Sequence, residues 1–116
     1  MINEESLDDE RIHKMHAELC QMLSNPTRLR ILEQLCDEEK TVSELVEAIG
    51  VSQSNISQHL SQLRKKRLVD SKRDGSHVYY HLTYPKIMDA CKIVREVLFD
   101  QMNESKRLIE RGVDNE

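Results

Sequence analysis

The stretch that most restricts what this chain can become runs from residue 41 to residue 82. Val42, Leu45, Val46 and Ile49 recur there at helical spacing. Thr41 stands just before them with Glu44 three residues on, the pattern of a capping box. Gly50 follows where a helix can end in the left-handed region, which suits a residue without Cβ. Ser52 is then the next N-cap. Beyond it Ile56, Leu60 and Leu63 stand at i, i+4 and i+7, one narrow apolar stripe. After Leu68 the period turns from helical to alternating. Residues 69–72 read as a strand, Arg73-Asp74-Gly75-Ser76 as a turn with a strong Asp-Gly hairpin signal, and 77–82 as the returning strand. Val78, Tyr80 and Leu82 share one face of that strand; His77, Tyr79 and His81 share the other.

Two short helices, a tight glycine turn and a hairpin make a winged helix-turn-helix. In the second helix the face opposite the stripe carries Ser54, Gln58, Ser61 and Lys65, with Gln53 and Ser57 nearby. It is almost free of acids and rich in groups that donate and accept hydrogen bonds, as base edges and phosphates in a major groove require. The helix runs on into Arg64-Lys65-Lys66-Arg67, and the hairpin tip offers Lys72, Arg73, Ser76 and His77 to the sugar-phosphate backbone or the minor groove. The expected DNA contacts are therefore Ser52, Gln53, Ser54, Ser57, Gln58, Ser61, Arg64 and Lys65 on the helix and Lys72, Arg73, Ser76 and His77 on the wing. Each piece alone has a plainer reading, because hydroxyl-rich faces and basic runs are usually just solvated. Their order along the chain is what points to DNA.

The net charge of −4 argues the other way until its distribution is considered. Residues 52–77 carry six Lys or Arg against two acids, a local +4, which leaves −8 on the remainder. A basic patch on an acidic body can steer one face toward a duplex. The 116 residues suffice for one domain with a small core, expected over 8–111 between a disordered tail at 1–7 and a short tail at 112–116. No apolar run approaches the roughly 18 to 20 residues that span a bilayer. The first ten residues hold five acids and no base, unlike a signal peptide. Three cysteines, an odd number, do not suit a secreted disulfide framework. A soluble cytoplasmic protein is expected.

A first helix is expected from Leu7 to Leu23, with Met15, Leu19, Met22 and Leu23 as its apolar positions and Cys20 beside them. Asn25-Pro26 marks a break and a new start, since Asn caps and Pro fits the first turn. The helix that follows, 26–36, should turn Leu29, Ile31, Leu32 and Leu35 inward. At the far end a long helix is expected from Pro85 to Arg111. Ile87, Cys91, Val94, Leu98 and Met102 form a seam on it, flanked by Ala90, Val97 and Phe99. A domain this small has little with which to cover so long a stripe. A second copy, joined through Leu19 and Met22 of the first helix, is the economical cover; an antiparallel pair with the chain's own first helix is the other.

These residues carry a family resemblance. The segments SNPTRLRILEQL, TVSELVEAIGVSQSNISQHLSQLRKKRLV and RDGSHVYYHL resemble the ArsR family of bacterial and archaeal transcriptional repressors over about residues 16–99. The resemblance implies a mainly α winged helix-turn-helix with one small β-hairpin: four helices, two strands and a fifth helix. It implies a homodimer joined by the first and last helices, palindromic DNA operators read by the helix from Ser52 to Lys66, and release when an inducer binds. Several members bind metal through a Glu-Leu-Cys-x-Cys pattern before the recognition helix. Here that stretch reads Glu44-Leu45-Val46-Glu47-Ala48, without a thiolate. Others use Asp and His between C-terminal helices, where this chain offers Tyr84 and Lys86 and no His beyond His81. The positions of the family's cysteine-pair sulfide sensors correspond to Glu33 and Phe99. No metal or cofactor is therefore expected.

Cys20, Cys36 and Cys91 fall on three different helices. Cys20 and Cys91 are candidates for a redox or persulfide switch. The plainer reading is that free cysteine packs as a small hydrophobe, and a soft metal or As(III) on two or three of the thiols is a further alternative. His13 and His16, at i and i+3, read as surface residues rather than half a metal site. No phosphate loop, nucleophile elbow or triad spacing suggests an enzyme. The rival readings are a winged helix used for protein–protein contact, and a regulator that senses no small molecule.

Overall fold

A computed structural model of the chain describes residues 8–115, with side chains through Gly112. The tail expected at 1–7 lies outside the described residues. The chain divides into two units, one ending at Tyr84 and the other beginning at Pro85. Sequence pattern led to a single domain over 8–111. The second unit is a single helix preceded by a short turn.

The first unit holds α1 (Asp9–Met22), α2 (Pro26–Asp37), α3 (Val42–Ile49), α4 (Gln53–Lys65), β1 (Val69–Asp74) and β2 (His77–Leu82). Each helix begins at a side chain that accepts a backbone N–H: Asp8, Asn25, Thr41 and Ser52. At α3 the box is reciprocal. Glu44 N donates to Thr41 Oγ1 at 3.2 Å and Thr41 N donates to Glu44 Oε1 at 3.0 Å. Gly50 ends α3 at φ 82 and its N–H reaches Val46 O at 2.8 Å. That left-handed turn sets the angle between α3 and α4.

α4 closes without a glycine. Arg67 takes the left-handed position at φ 60. Arg67 N donates to Arg64 O at 2.9 Å, and Leu68 N donates to Leu63 O at 3.0 Å. These are the paired bonds of a Schellman motif, and Leu63 and Leu68 are both buried beside it. A side chain at such a φ costs about 1–2 kcal/mol.

The core sits where α2, α3 and α4 meet the base of the hairpin. Ile31, Leu32 and Leu35 come from α2, Leu45 from α3, and Ile56, Leu60 and Leu63 from α4. Leu68, Val69 and Leu82 close it from the hairpin side. Each such side chain contributes about 1.5–3 kcal/mol when fully buried. Leu29, expected inward, is only half-buried.

The hairpin is antiparallel, with Val69 opposite Leu82 and Asp74 opposite His77. The strands run further than the pattern suggested, so Gly75-Ser76 is the whole loop. Gly75 has φ 64 while Ser76 stays at negative φ. This places Gly at the first central position, as in a type II′ turn, instead of the Asp-Gly centre that the sequence signal suggests. A third backbone segment joins the pair. Lys40, in the loop before α3, forms an isolated bridge to Tyr80: Tyr80 N donates to Lys40 O at 2.8 Å and Lys40 N to Tyr80 O at 3.1 Å.

The second unit contains α5 (Ile87–Asn115), 29 residues long. Pro85 and Lys86 form the turn before it, with Met88 N bonded to Pro85 O at 3.1 Å. The helix thus starts two residues after the expected Pro85 and runs past Arg111 through residues assigned to a tail. Proline lacks the N–H, and Gly112, which stands where a helix can stop, lies within the helix instead. Ile93, Val94, Val97, Leu98, Phe99 and Met102 are all at least half exposed.

Candidate nucleic-acid interface

α4 presents its chemistry because its three apolar residues face the other way. Ile56, Leu60 and Leu63 are buried to 1% exposure or less. The helical period then turns Gln53, Ser54, Ser57, Gln58, Ser61, Arg64 and Lys65 to solvent, and all seven are exposed. Ser52, also exposed, is partly committed: its hydroxyl accepts from Asn55 N at 3.2 Å and lies 3.3 Å from Ser54 Oγ. Asn55 is exposed on the first turn of the helix and escaped the sequence reading, which judged the surface by distance from the stripe. No acid interrupts this surface from Ser52 to Arg67.

The flank of α4 is fixed by a contact across the fold. Arg28, on the first turn of α2, donates from Nε to His59 Nδ1 at 3.2 Å, and its Nη1 approaches Met22 Sδ at 3.7 Å. Burial first, and the Arg28 charge second, hold the His59 ring below its ordinary value of 6.5. The neutral ring accepts at Nδ1 and carries its proton on Nε2. Met22, expected at a dimer seam, is buried inside this unit instead. One guanidinium thus joins the end of α1, the start of α2 and the middle of α4.

On the wing Lys72, Arg73, Ser76 and His77 are all exposed. They are not equally free. Lys72 Nζ lies 3.0 Å from Glu39 Oε2 in the loop before α3, and Arg64 Nε lies 3.5 Å from Asp70 Oδ1 on β1. Such exposed pairs are worth only about 0–1 kcal/mol, so a phosphate can replace the carboxylate. His77 stands near the capping carboxylate of Glu44. The Thr41 N–H and hydroxyl hold that carboxyl below the ordinary carboxylate value, with Lys40 and His77 adding to the effect. Alternation along the strands puts Arg73 and Lys72 on opposite faces of the hairpin.

Residues 25–71 match the family described as bacterial regulatory protein, arsR family. The uncharacterized HTH-type transcriptional regulator Rv0081 of Mycobacterium tuberculosis is 32% identical over 105 residues, covering 90% of this chain and 92% of the relative. The chain belongs to the ArsR family. It is a DNA-binding transcriptional regulator of that family and not an enzyme. The crystal structure of Rv0081 superposes with a TM-score of 0.73 at 34% identity, over 80% of this chain and 94% of that one. The transcriptional repressor BigR from Xylella fastidiosa gives 0.66 at 30% identity, over 79% and 91%. The homodimeric winged helix-turn-helix DNA-binding domain of Mb0332 from Mycobacterium bovis gives 0.70 at 24% identity, over 84% and 93%.

The other residues that the ArsR pattern brings forward fall as follows. Leu19 on α1 is half-buried, beside the exposed Ile12 and Met15. On α5, Ile87 and Cys91 are half-buried, while Val94, Leu98 and Met102 are 60%, 50% and 65% exposed. Cys20 and Cys36 are exposed, and all three cysteines are free thiols. Burial pushes the Cys91 thiol up, with Arg95 opposing. No described helix is long and apolar enough to cross a membrane.

Proposed function

We propose that this ArsR-family regulator is a homodimeric repressor that reads a palindromic operator in the cytoplasm. The observation that carries this is the acid-free, exposed face of α4, from Ser54 to Lys65. Ser54, Gln58 and Ser61 stand where base edges in a major groove would lie, with Ser52, Gln53, Ser57, Arg64 and Lys65 around them. Arg73, Ser76 and His77 of the wing, and Lys72 once Glu39 yields it, stand toward the flanking backbone. The exposed seam of Val94, Leu98 and Met102 is the surface for the second copy, with Ile87 and Cys91 on the same helix and Leu19 as the contribution of α1; the homodimeric relative and the repressor relative support both halves of this reading. Two recognition helices related by a two-fold axis would read half-sites about one helical turn apart.

Binding of purified protein to duplexes selected from a random pool tests the reading. Gln58→Ala should weaken the selected duplex by about 1–3 kcal/mol and random duplex far less. Arg73→Ala should weaken both and reduce the salt slope by about one unit. Unchanged sequence preference in Gln58→Ala would overturn the readout assignment. A reporter under the selected operator, silenced by the protein, checks the sign.

Release by an inducer or by oxidation of Cys20 and Cys91 belongs to the same reading. Burial pushes the Cys91 thiol toward the protonated, slow-reacting form, so of this pair the exposed Cys20 is the more accessible thiol. Operator affinity of reduced and oxidised protein, compared with Cys20→Ser and Cys91→Ser, decides: equal affinities in all forms remove the thiols from the mechanism. A soft metal or As(III) added to the same assays tests the other use of Cys20, Cys36 and Cys91.

A further inference from the structure

α4 and β2 enclose a cleft of about 340 Å³ that the recognition surface alone does not account for. Ser57, Ser61, Arg64 and Lys65 form the α4 wall, Leu60 its floor, and Tyr80 the opposite wall. The cleft joins two cationic side chains to three hydroxyls. Arg64 is held through Nε by Asp70 at 3.5 Å, which leaves the rest of its donor fork available. Tyr80 is half-buried, yet its phenol makes no hydrogen bond among the described residues and is not sealed from solvent. Its backbone, by contrast, is fixed on both sides, opposite Ser71 in the ladder and through both bonds to Lys40. An aromatic on a fixed backbone, with a free donor and two cations lining the same cleft, suits a tetrahedral anion with several acceptor oxygens.

We propose that this cleft seats one phosphodiester of the bound duplex, with the Tyr80 hydroxyl donating to a non-bridging oxygen that Arg64 or Lys65 also faces. The inference rests on α4 lying in the groove, as proposed above. It adds a contact from the body of the hairpin, where sequence reasoning placed contacts only at the tip. Tyr80 belongs by alternation to the face shared with the buried Leu82, and so reads from sequence as core.

The test is a scan of single methylphosphonate replacements along the selected duplex, measured by fluorescence anisotropy with the full-length wild type and with Tyr80→Phe. Tyr80→Phe should bind selected and random duplex about tenfold more weakly, as expected for a lost hydrogen bond to a charged group. Its salt slope should not change, because the phenol is neutral. At one phosphate per half-site, methylphosphonate should weaken the wild type more than it weakens Tyr80→Phe, in which Arg64 and Lys65 still meet the charge. Ser57→Ala reads the same seat from the helix side and leaves the hairpin untouched, so it should lower sensitivity at that same phosphate. Wild-type affinity and an unchanged scan in Tyr80→Phe would overturn the proposal, as would sensitivities of the two variants at different phosphates. Inorganic phosphate at matched ionic strength should not displace duplex; displacement from the wild type alone would make the cleft a free-anion site and overturn the duplex assignment. A wild type that binds no duplex would overturn the wider reading together with this one.

Discussion

α4 and α5 each leave one long face open to water, and the two faces have opposite chemistry. On α4 the apolar residues are spent on the core, and solvent meets hydroxyls, amides and cations. On α5 solvent meets Val94, Val97, Leu98, Phe99 and Met102. A polar face is stable in water without help, so what it binds has to be decided by the pattern of donors and acceptors. An exposed apolar stripe is costly until something covers it. One helix is complete and selective; the other is incomplete and requires a partner.

That contrast can be broken from either side. The largest effect should come from the hidden half of α4. Ile56→Ala should lower stability by about 2–5 kcal/mol, read as a denaturant midpoint shift, because the cavity lies at the junction of three helices. On α5, Leu98→Asp should leave helix content intact by circular dichroism and turn the dimer into a monomer in sedimentation. Operator affinity should then fall roughly thirtyfold or more, since a charge at the centre of a seam costs about 2 kcal/mol or more. A dimer that survives this change would mean that the α5 face has another occupant. The C-terminus of α4 separates fold from function more finely: Arg67→Gly should raise stability by about 1 kcal/mol by removing a side chain from the left-handed region.

The smallest effect concerns pH. The His59 ring is held below its ordinary 6.5 in the folded chain, so the unfolded chain binds more protons there. The stability this contributes is present above 6.5 and is lost as pH falls from 6.5 through the lower folded value. Melting temperature between pH 7.5 and 5.5 should therefore drop more in the wild type than in His59→Gln. Equal slopes would mean that the burial of the His59 ring beside Arg28 is not maintained in solution.

Much of the architecture was legible because it is written locally. Thr41 and Glu44, Gly50, Ser52 and the Asp74-Gly75 pair each declare themselves within four residues, and the α4 stripe needs only its own period. What escaped the sequence depends on distant partners. Nothing near Lys72 announces Glu39, and nothing near Arg28 announces His59. Met22 looked like seam because its period matched Leu19, but the end of α1 tucks it against Arg28. Arg67 was invisible as a helix stop because the usual signal at that position is glycine. Lys40 escaped because a bridge of one residue has no alternation to recognise. The hydroxyl-and-amide surface of α4 was legible as a surface; the Tyr80 cleft beside it was not, because Tyr80 stands fifteen or more residues along the chain from the α4 residues that line it.

The Lys40–Tyr80 bridge has a mechanical consequence. It fastens the flap to the loop from which α3 starts, so that flap, turn and groove-entering rod form one stiff reading head. Such a head has no finger to lift. On the proposed reading, a signal that frees the duplex would have to swing one whole head against the head of a second copy, and a change of a few degrees in that swing would move both points of grip at once.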